Sequence, residues 1–260
     1  MPILSSIGAS SAKAYGFGGQ VVIPGNSGIL TSGTSYTLPV TSGRIIKVIV
    51  IAGGGGGGGG SGRTSFSGYF TGGGGGASAA AAYATNILVT AGQTINFSIG
   101  SAGTAGSPRD GVYTSGSNGG TGGTTSVTVN STVVAQVSGG TGGLVSPNAT
   151  GGSGGSVATG TQILSTTAGG AAAGGATTGG QAARGYTITT TVGTALGSIV
   201  GYGNYGTISG AEGSGVPPTP GTIYGAGGGG GGCAQSDIFN PGNISPNAGT
   251  TGAVFIWWGY

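Results

Sequence analysis

The residues of this chain that could carry acid–base or metal chemistry are few enough to name. The carboxylates are Asp110, Glu212 and Asp237, histidine is absent, and the one thiol is Cys233. General acid–base catalysis needs a proton donor and acceptor held in place. A zinc site needs three or four His, Cys or carboxylate ligands. Three acids spread over separate glycine-rich stretches supply neither, and the carboxylate pair of glycoside hydrolysis is missing in particular. Cys233 follows six glycines, and no imidazole exists to take its proton, so it reads as a small core or exposed thiol and not as a nucleophile. G-x-G-x-x-G recurs by composition alone. The two lysines, Lys13 and Lys47, stand in A-K-A and I-K-V, and a phosphate loop needs G-K-[ST]. The expectation is a protein that is not an enzyme and holds neither metal nor cofactor.

The residues left for function are aromatic and are set among Gly, Ser and Asn. Phe66, Tyr69, Phe70, Tyr113, Tyr202, Tyr205 and Tyr224 are of this kind, with Arg63, Arg109 and Asp110 beside some of them. Rigid aromatic anchors with small adaptable neighbours make an antibody-like contact surface, and aromatic rings stack on sugars. The same rings can instead cover glycine-rich elements that have no side chains of their own. Arg109–Asp110 reads either as a ligand-binding pair or as a self-neutralising turn.

These residues need a scaffold, and the composition restricts it. The chain has 260 residues, of which 69 are glycine and only 3 % are charged. Its net charge of +3 comes from six basic against three acidic residues. That is scarcity of charge, not a basic face, so no nucleic-acid partner is expected. A hydrophobic share of 36 %, rich in β-branched residues, argues for a fold over disorder. Proline at 10 residues and glycine in runs exclude collagen. The longest apolar stretch, Ile45 to Ala52, is broken by Lys47 and is far too short to cross a bilayer, so no membrane insertion is expected. One cysteine excludes an internal disulfide.

Strands are predicted at 21–24, 35–40 and 44–51, the last (RIIKVIVI) apolar on both faces and so covered on both. SYTLPV and RIIKVIVI, separated by Thr41-Ser42-Gly43, look like a hairpin. Further β-like pieces are TINFSIG (94–100), SVTVNSTVVAQV (126–137), YTITTTVG (186–193) and AVFIWWG (253–259). Between them run glycines 53–60, 72–76 and 227–232, with shorter clusters such as GGTGG at 119–123 and 139–143. A polyproline II-type helix has three residues per turn and no internal hydrogen bonds. Without side chains, several such helices can approach and bond laterally, so the runs are expected to be buried core elements. The expected fold is mostly β and irregular. Short strands flank a bundle or sandwich of polyglycine II helices, with almost no α-helix. Residues 1–20 form a lead or attachment segment, and 21–260 form the glycine-rich domain. Four loops interrupt the glycine elements: 61–71, 101–118, 194–224 and 233–249. They hold Arg63, Arg109, Asp110, Glu212 and Asp237.

The order "TLPV", then "RIIKVIVI" running into polyglycine, resembles the glycine-rich domain of bacteriophage tail fibres and related virion appendage proteins. So do "AAAAYATNILVTAGQTINFSIGSAG", "GGTGGTTSVTVNSTVVAQVSGGTGG" and the closing "GTTGAVFIWWGY". More distantly the chain resembles the distal adhesin of T-even-like phages, a polyglycine sandwich with host-contacting loops. The resemblance implies a surface-exposed virion protein whose partners are other virion proteins and a bacterial surface polysaccharide or outer-membrane protein. A homo-oligomer within the virion is compatible with it. A purely structural role, as capsid decoration, fibre cap or adaptor, is the alternative.

Overall fold

A computed structural model describes residues 21–23, 27–37, 44–56, 58–59, 72–90, 93–107, 116–145, 150–156, 160–161, 163–169, 171, 183, 185, 224–228, 230–231 and 245–258. Among the described residues there is no α-helix. The strands are β1 (Val21–Ile23), β2 (Ser27–Leu30), β3 (Ser35–Thr37), β4 (Arg44–Ile51), β5 (Ala81–Val89), β6 (Thr94–Ser98), β7 (Thr125–Val129), β8 (Thr132–Val137), β9 (Ile163–Thr167) and β10 (Ala253–Trp258). They build two antiparallel sheets, β1-β2-β10-β4-β5-β9 and β3-β6-β7-β8.

The unbroken apolar run of β4 has the expected cause. Ile46, Val48 and Val50 point between the sheets, into a cluster with Ile95, Val127 and Val137. Ile49 and Ile51 point to the opposite face, into a second cluster with Ala81, Tyr224, Ala253 and Phe255. A strand covered on both sides has no position for an alternating polar residue. In β6, by contrast, Ile95 and Phe97 are buried while Thr94, Asn96 and Ser98 are exposed, as on a sheet with one wet face.

Two strand expectations change. β3 pairs with β6, whereas β4 pairs with β10 and β5. SYT and RIIKVIVI therefore lie in different sheets and form no hairpin, because each strand finds its apolar partner in a separate layer. The piece SVTVNSTVVAQV is itself the hairpin: β7 and β8 pair across Asn130 and Ser131, at φ 49° and 62°. Two successive left-handed residues match the twist of the flanking strands, and asparagine is the non-glycine residue best suited to the first. The strands β2, β5 and β9 were not expected as separate elements. YTITTTVG, the 41–43 connection and residues 1–20 lie outside the described residues.

Most strands continue directly into, or arise directly from, a glycine-rich segment. Segment 53–59 shows how these segments are held. The amides of Gly53, Gly56 and Gly59 donate to the carbonyls of Gly123, Gly120 and Ser117. Those of Gly55 and Gly58 donate to Ala77 and Gly74, and Gly54 donates to Thr250. In return, the carbonyls of Gly53 and Gly56 accept from Gly140 and Gly143, those of Gly55 and Gly58 from Gly228 and Gly231, and that of Gly54 from Gly103. Partners repeat every third residue, the period of a polyglycine II helix. This one helix is bonded to six neighbours: 73–80, 100–107, 116–123, 138–144, 225–231 and 245–252.

The six also bond to one another in a closed ring. Around it run Ala77 to Thr141, Gly122 to Gly140, Gly120 to Thr104, Gly249 to Gly103, Thr250 to Ala226, and Gly76 to Gly228, all amide to carbonyl. One helix inside a ring of six is hexagonal packing. Outside the ring, segment 150–156 bonds to two ring members through Gly155 to Ser78 and Thr141 to Ser153. Gly169 donates to Gly155, and Ala183 stands between Gly76 and Gly227. The array thus has three rows. The outer ones are 116–123, 138–144, 150–156 and 245–252, 225–231, with Ala183 beside the last. The middle one is 100–107, 53–59, 73–80, 168–169.

Glycine at the centre is required by space. A Cβ on Gly53, Gly56 or Gly59 would collide with the carbonyls of Ser101, Thr104 or Ser107. On Gly55 or Gly58 it would meet Thr141 or Leu144, and on Gly54 it would meet Ala226. Every direction is occupied by backbone. At the rim one direction opens, and there the sequence changes: Thr121, Thr141 and Ser153 are exposed while Gly122, Gly140, Gly143, Gly152 and Gly155 are buried.

Candidate functional site

The loops are positioned by the ends of this array. Gly59 donates to Ser117, Gly73 to Gly231, and Gly231 to Gly58; Leu144 donates to Thr150. These residues flank the segments 60–71, 108–115, 146–149 and 232–244, so all four segments spring from one end of the bundle. The sheets occupy the other end, about 20 Å away at 3.1 Å per residue. The stem of 108–115 is pinned hardest. Ser117 donates its amide to the Ser107 carbonyl at 3.1 Å, the Ser107 amide donates to Ser117 Oγ at 2.7 Å, and the two hydroxyls bond at 3.0 Å. The Val145 amide donates to Asn118 Oδ1 at 2.8 Å, tying the 146–149 stem to the same helix. Ser107, Ser117 and Asn118 were not among the expected functional residues. Their only sequence signal is a polar residue where a glycine segment stops.

Arg63, Phe66, Tyr69, Phe70, Arg109, Asp110, Tyr113, Tyr202 and Tyr205 lie outside the described residues. Tyr224 is described, and it is in the core. It is 7 % exposed and shares a cluster with Ile49, Ile51 and Phe255 on the outer face of the larger sheet. Burial raises its pKa. It therefore covers the sheet, the second of the two roles open to the aromatics. Its neighbour Gly225 adopts φ 69° and donates to Thr251, starting segment 225–231 at the sheet end. Gly185, against which a Cβ would strike Tyr224 and Ala226, lies at that same end. The segment 186–223, with Tyr202 and Tyr205, is thus flanked at the sheet end, unlike the other three long loops.

Electrostatics are nearly absent from the platform. Arg44 and Lys47, both in β4, are the only charged residues among those described, and every described polyglycine segment is uncharged. Among the described residues no three His, Cys, Asp or Glu stand together. Burial pushes Tyr36 up to about 12 from 10.0. Below pH 10 the phenol is neutral in both folded and unfolded chains and stability is constant. Between 10 and 12 only the unfolded chain ionises, and stability falls by about 2–3 kcal/mol. Denaturant unfolding at pH 8 and pH 12 measures this, and Tyr36→Phe should remove that part of the loss.

A search of curated proteins finds no match to the chain. A family model described as a glycine-rich domain matches residues 29–259, the span that contains every strand from β3 to β10 and the whole polyglycine array. The chain belongs to this glycine-rich domain family.

Proposed function

We propose that the chain is a bacteriophage virion appendage protein, of a tail fibre or tail tip, that binds a host-surface polysaccharide or outer-membrane protein through loops on a rigid polyglycine core. The reading rests on the resemblance of the TLPV…RIIKVIVI–polyglycine junction to tail-fibre domains. The observation that carries it is the gathering of four loop stems at one end of a bundle whose described polyglycine residues are uncharged. Three of these segments, 60–71, 108–115 and 232–244, contain Arg63, Phe66, Tyr69, Phe70, Arg109, Asp110 and Tyr113 together with Asp237. These segments adjoin the stems at that end, so their charged and aromatic residues are the chemistry a loop-borne surface would use. Stems locked by backbone hydrogen bonds reduce the ordering cost of binding. Contact is non-covalent and needs no cofactor. The sheet end, with β1 and β2, is left for other virion proteins.

The test replaces 61–71, 108–115 and 233–244 with Gly/Ser sequence of equal length in particles carrying the chain. Adsorption to host cells is expected to fall at least tenfold while the chain is still incorporated. Unchanged adsorption with full incorporation would overturn the adhesin reading in favour of a structural virion component.

A further inference from the structure

A groove opens at the seam where the smaller sheet passes into the polyglycine array, and it plays no part in the loop-based reading. It is open to solvent and holds about 360 Å³, which falls in the size range of small-molecule sites. One wall is the β2–β3 connection, with Gly33 and Thr34; the other is the end of β6 and its continuation, through Ser98 and Ser101; Thr251 closes it. Phe97 and Ile99 line it as well.

The walls are fixed before any ligand arrives. The Phe97 amide donates to the Thr34 carbonyl at 2.9 Å, tying the connection onto β6. Gly33 turns there at φ 96°, with room for a Cβ only 3.7 Å from the Phe97 ring. Gly252 donates to the Gly100 carbonyl at 2.9 Å, and the Gly100 amide donates to the buried Thr125 Oγ1 at 2.8 Å. The groove therefore joins three chain segments whose backbones are already bonded to one another.

Its chemistry is narrow. No lining residue is ionisable, so nothing there neutralises a phosphate, a carboxylate or an ammonium group. Thr34, Ser98, Ser101 and Thr251 are exposed and offer hydroxyls that both donate and accept. Half-buried Ile99 supplies the apolar contact beside them, and Phe97, 5 % exposed, belongs to the core under the groove floor. We propose that this groove is a binding site for a neutral saccharide unit, whose ring hydroxyls meet the Ser/Thr rim and whose C–H face meets Ile99. It lies about 20 Å along the bundle axis from the loop stems, since Gly100 and Ser107 stand at opposite ends of one polyglycine segment. A chain that uses both would hold a glycan at its end and along its side.

The test is saturation-transfer NMR on the whole chain with the methyl glycosides of glucose, galactose and N-acetylglucosamine, and with glucuronate as the charged comparison. Transfer to at least one neutral glycoside, strongest at its ring C–H protons, and none to glucuronate, is expected. Ser98→Trp and Thr251→Trp fill the groove from two walls at exposed positions. Each should weaken the signal at least tenfold while leaving the melting temperature unchanged. Gly/Ser replacement of 61–71, 108–115 and 233–244 should leave it intact, which separates this site from the loop surface. No transfer from any neutral glycoside would overturn the proposal. So would transfer that survives both tryptophan variants, or transfer that is lost with the loops.

Discussion

Replacing Gly56 with alanine is expected to abolish folding, an effect out of proportion to one methyl group. The new Cβ would lie 2.5 Å from the Thr104 carbonyl carbon and closer still to its oxygen. Backbone cannot rotate aside as a long side chain can. The Thr104 carbonyl is itself bonded to the Gly120 amide at 2.8 Å, and Gly120 in turn accepts from Gly56 at 2.8 Å. Moving segment 100–107 outward would break its bonds to 53–59, 116–123 and 245–252 together. Each buried group left unpaired costs about 1–3 kcal/mol, and four or five of them equal a typical domain's whole stability of about 5–15 kcal/mol. The comparison is Thr104→Ala, in the same contact but with its side chain exposed; it should change stability by no more than about 0.5 kcal/mol. Thermal unfolding of the two variants, with amide exchange of Gly53 to Gly59, decides the matter. A Gly56→Ala protein that melts within a few degrees of the parent would mean that the central helix is not enclosed.

The sequence announces this architecture more clearly than it announces the site. Gly53 to Gly60 can be an ordered core element only if each residue meets another backbone, and segment 53–59 has six bonded neighbours among the described segments. The rim is legible in retrospect. In G-S-A-G-T-A-G, residues 100–106, Gly100, Gly103 and Gly106 are buried, and Ser101, Thr104 and Ala105 are exposed. In GGTGG, residues 139–143, one position in three faces water. In these two segments the exposed positions are the non-glycine ones, whereas Ala77, Ser78, Ala79 and Ala80 of 73–80 are buried, so small side chains also enter the array. The mutual arrangement of the helices was not legible, because glycine has no side chain whose pattern distinguishes one partner from another. The pairing is set by the strands at one end: β4 with β5 and β10 places 53–59 beside 73–80 and 245–252. The hairpin expected at 41–43 failed for a related reason, since apolar strands close in sequence can each belong to a different sheet. Tyr224 illustrates the limit for the site. In sequence it stands among Gly, Thr and Ile like any loop tyrosine, and only its packing on Ile49 and Phe255 shows that it covers the sheet.

Phe255→Ala is the second large effect expected, and it tests how far the strands anchor the array. Phe255 is 2 % exposed in the middle of β10 and lies opposite Ile49 of β4 and Ile29 of β2. Its cluster on the outer face of the larger sheet holds Ile49, Ile51, Ala81, Ala253 and Tyr224, with Tyr83 at the edge. Three of these partners lie within one strand length of a polyglycine junction: Ile51 precedes 53–59, Ala81 follows 73–80, and Tyr224 opens 225–231. Truncation removes the ring's burial and leaves a cavity that hydrogen-bonded strands cannot collapse to fill, at a cost of about 3–5 kcal/mol. The same change weakens the contact that seats Tyr224, so the amides of Gly227, Gly228 and Gly231 should exchange faster than those of Gly122, Gly140 and Gly143, across the array. Phe255→Leu keeps much of the apolar volume and should lose markedly less. Denaturant unfolding gives the first quantity and residue-resolved exchange the second. A loss below about 1 kcal/mol, or exchange accelerated equally in both rows, would show that the array is held by its own lateral hydrogen bonds, with the sheet as a passenger.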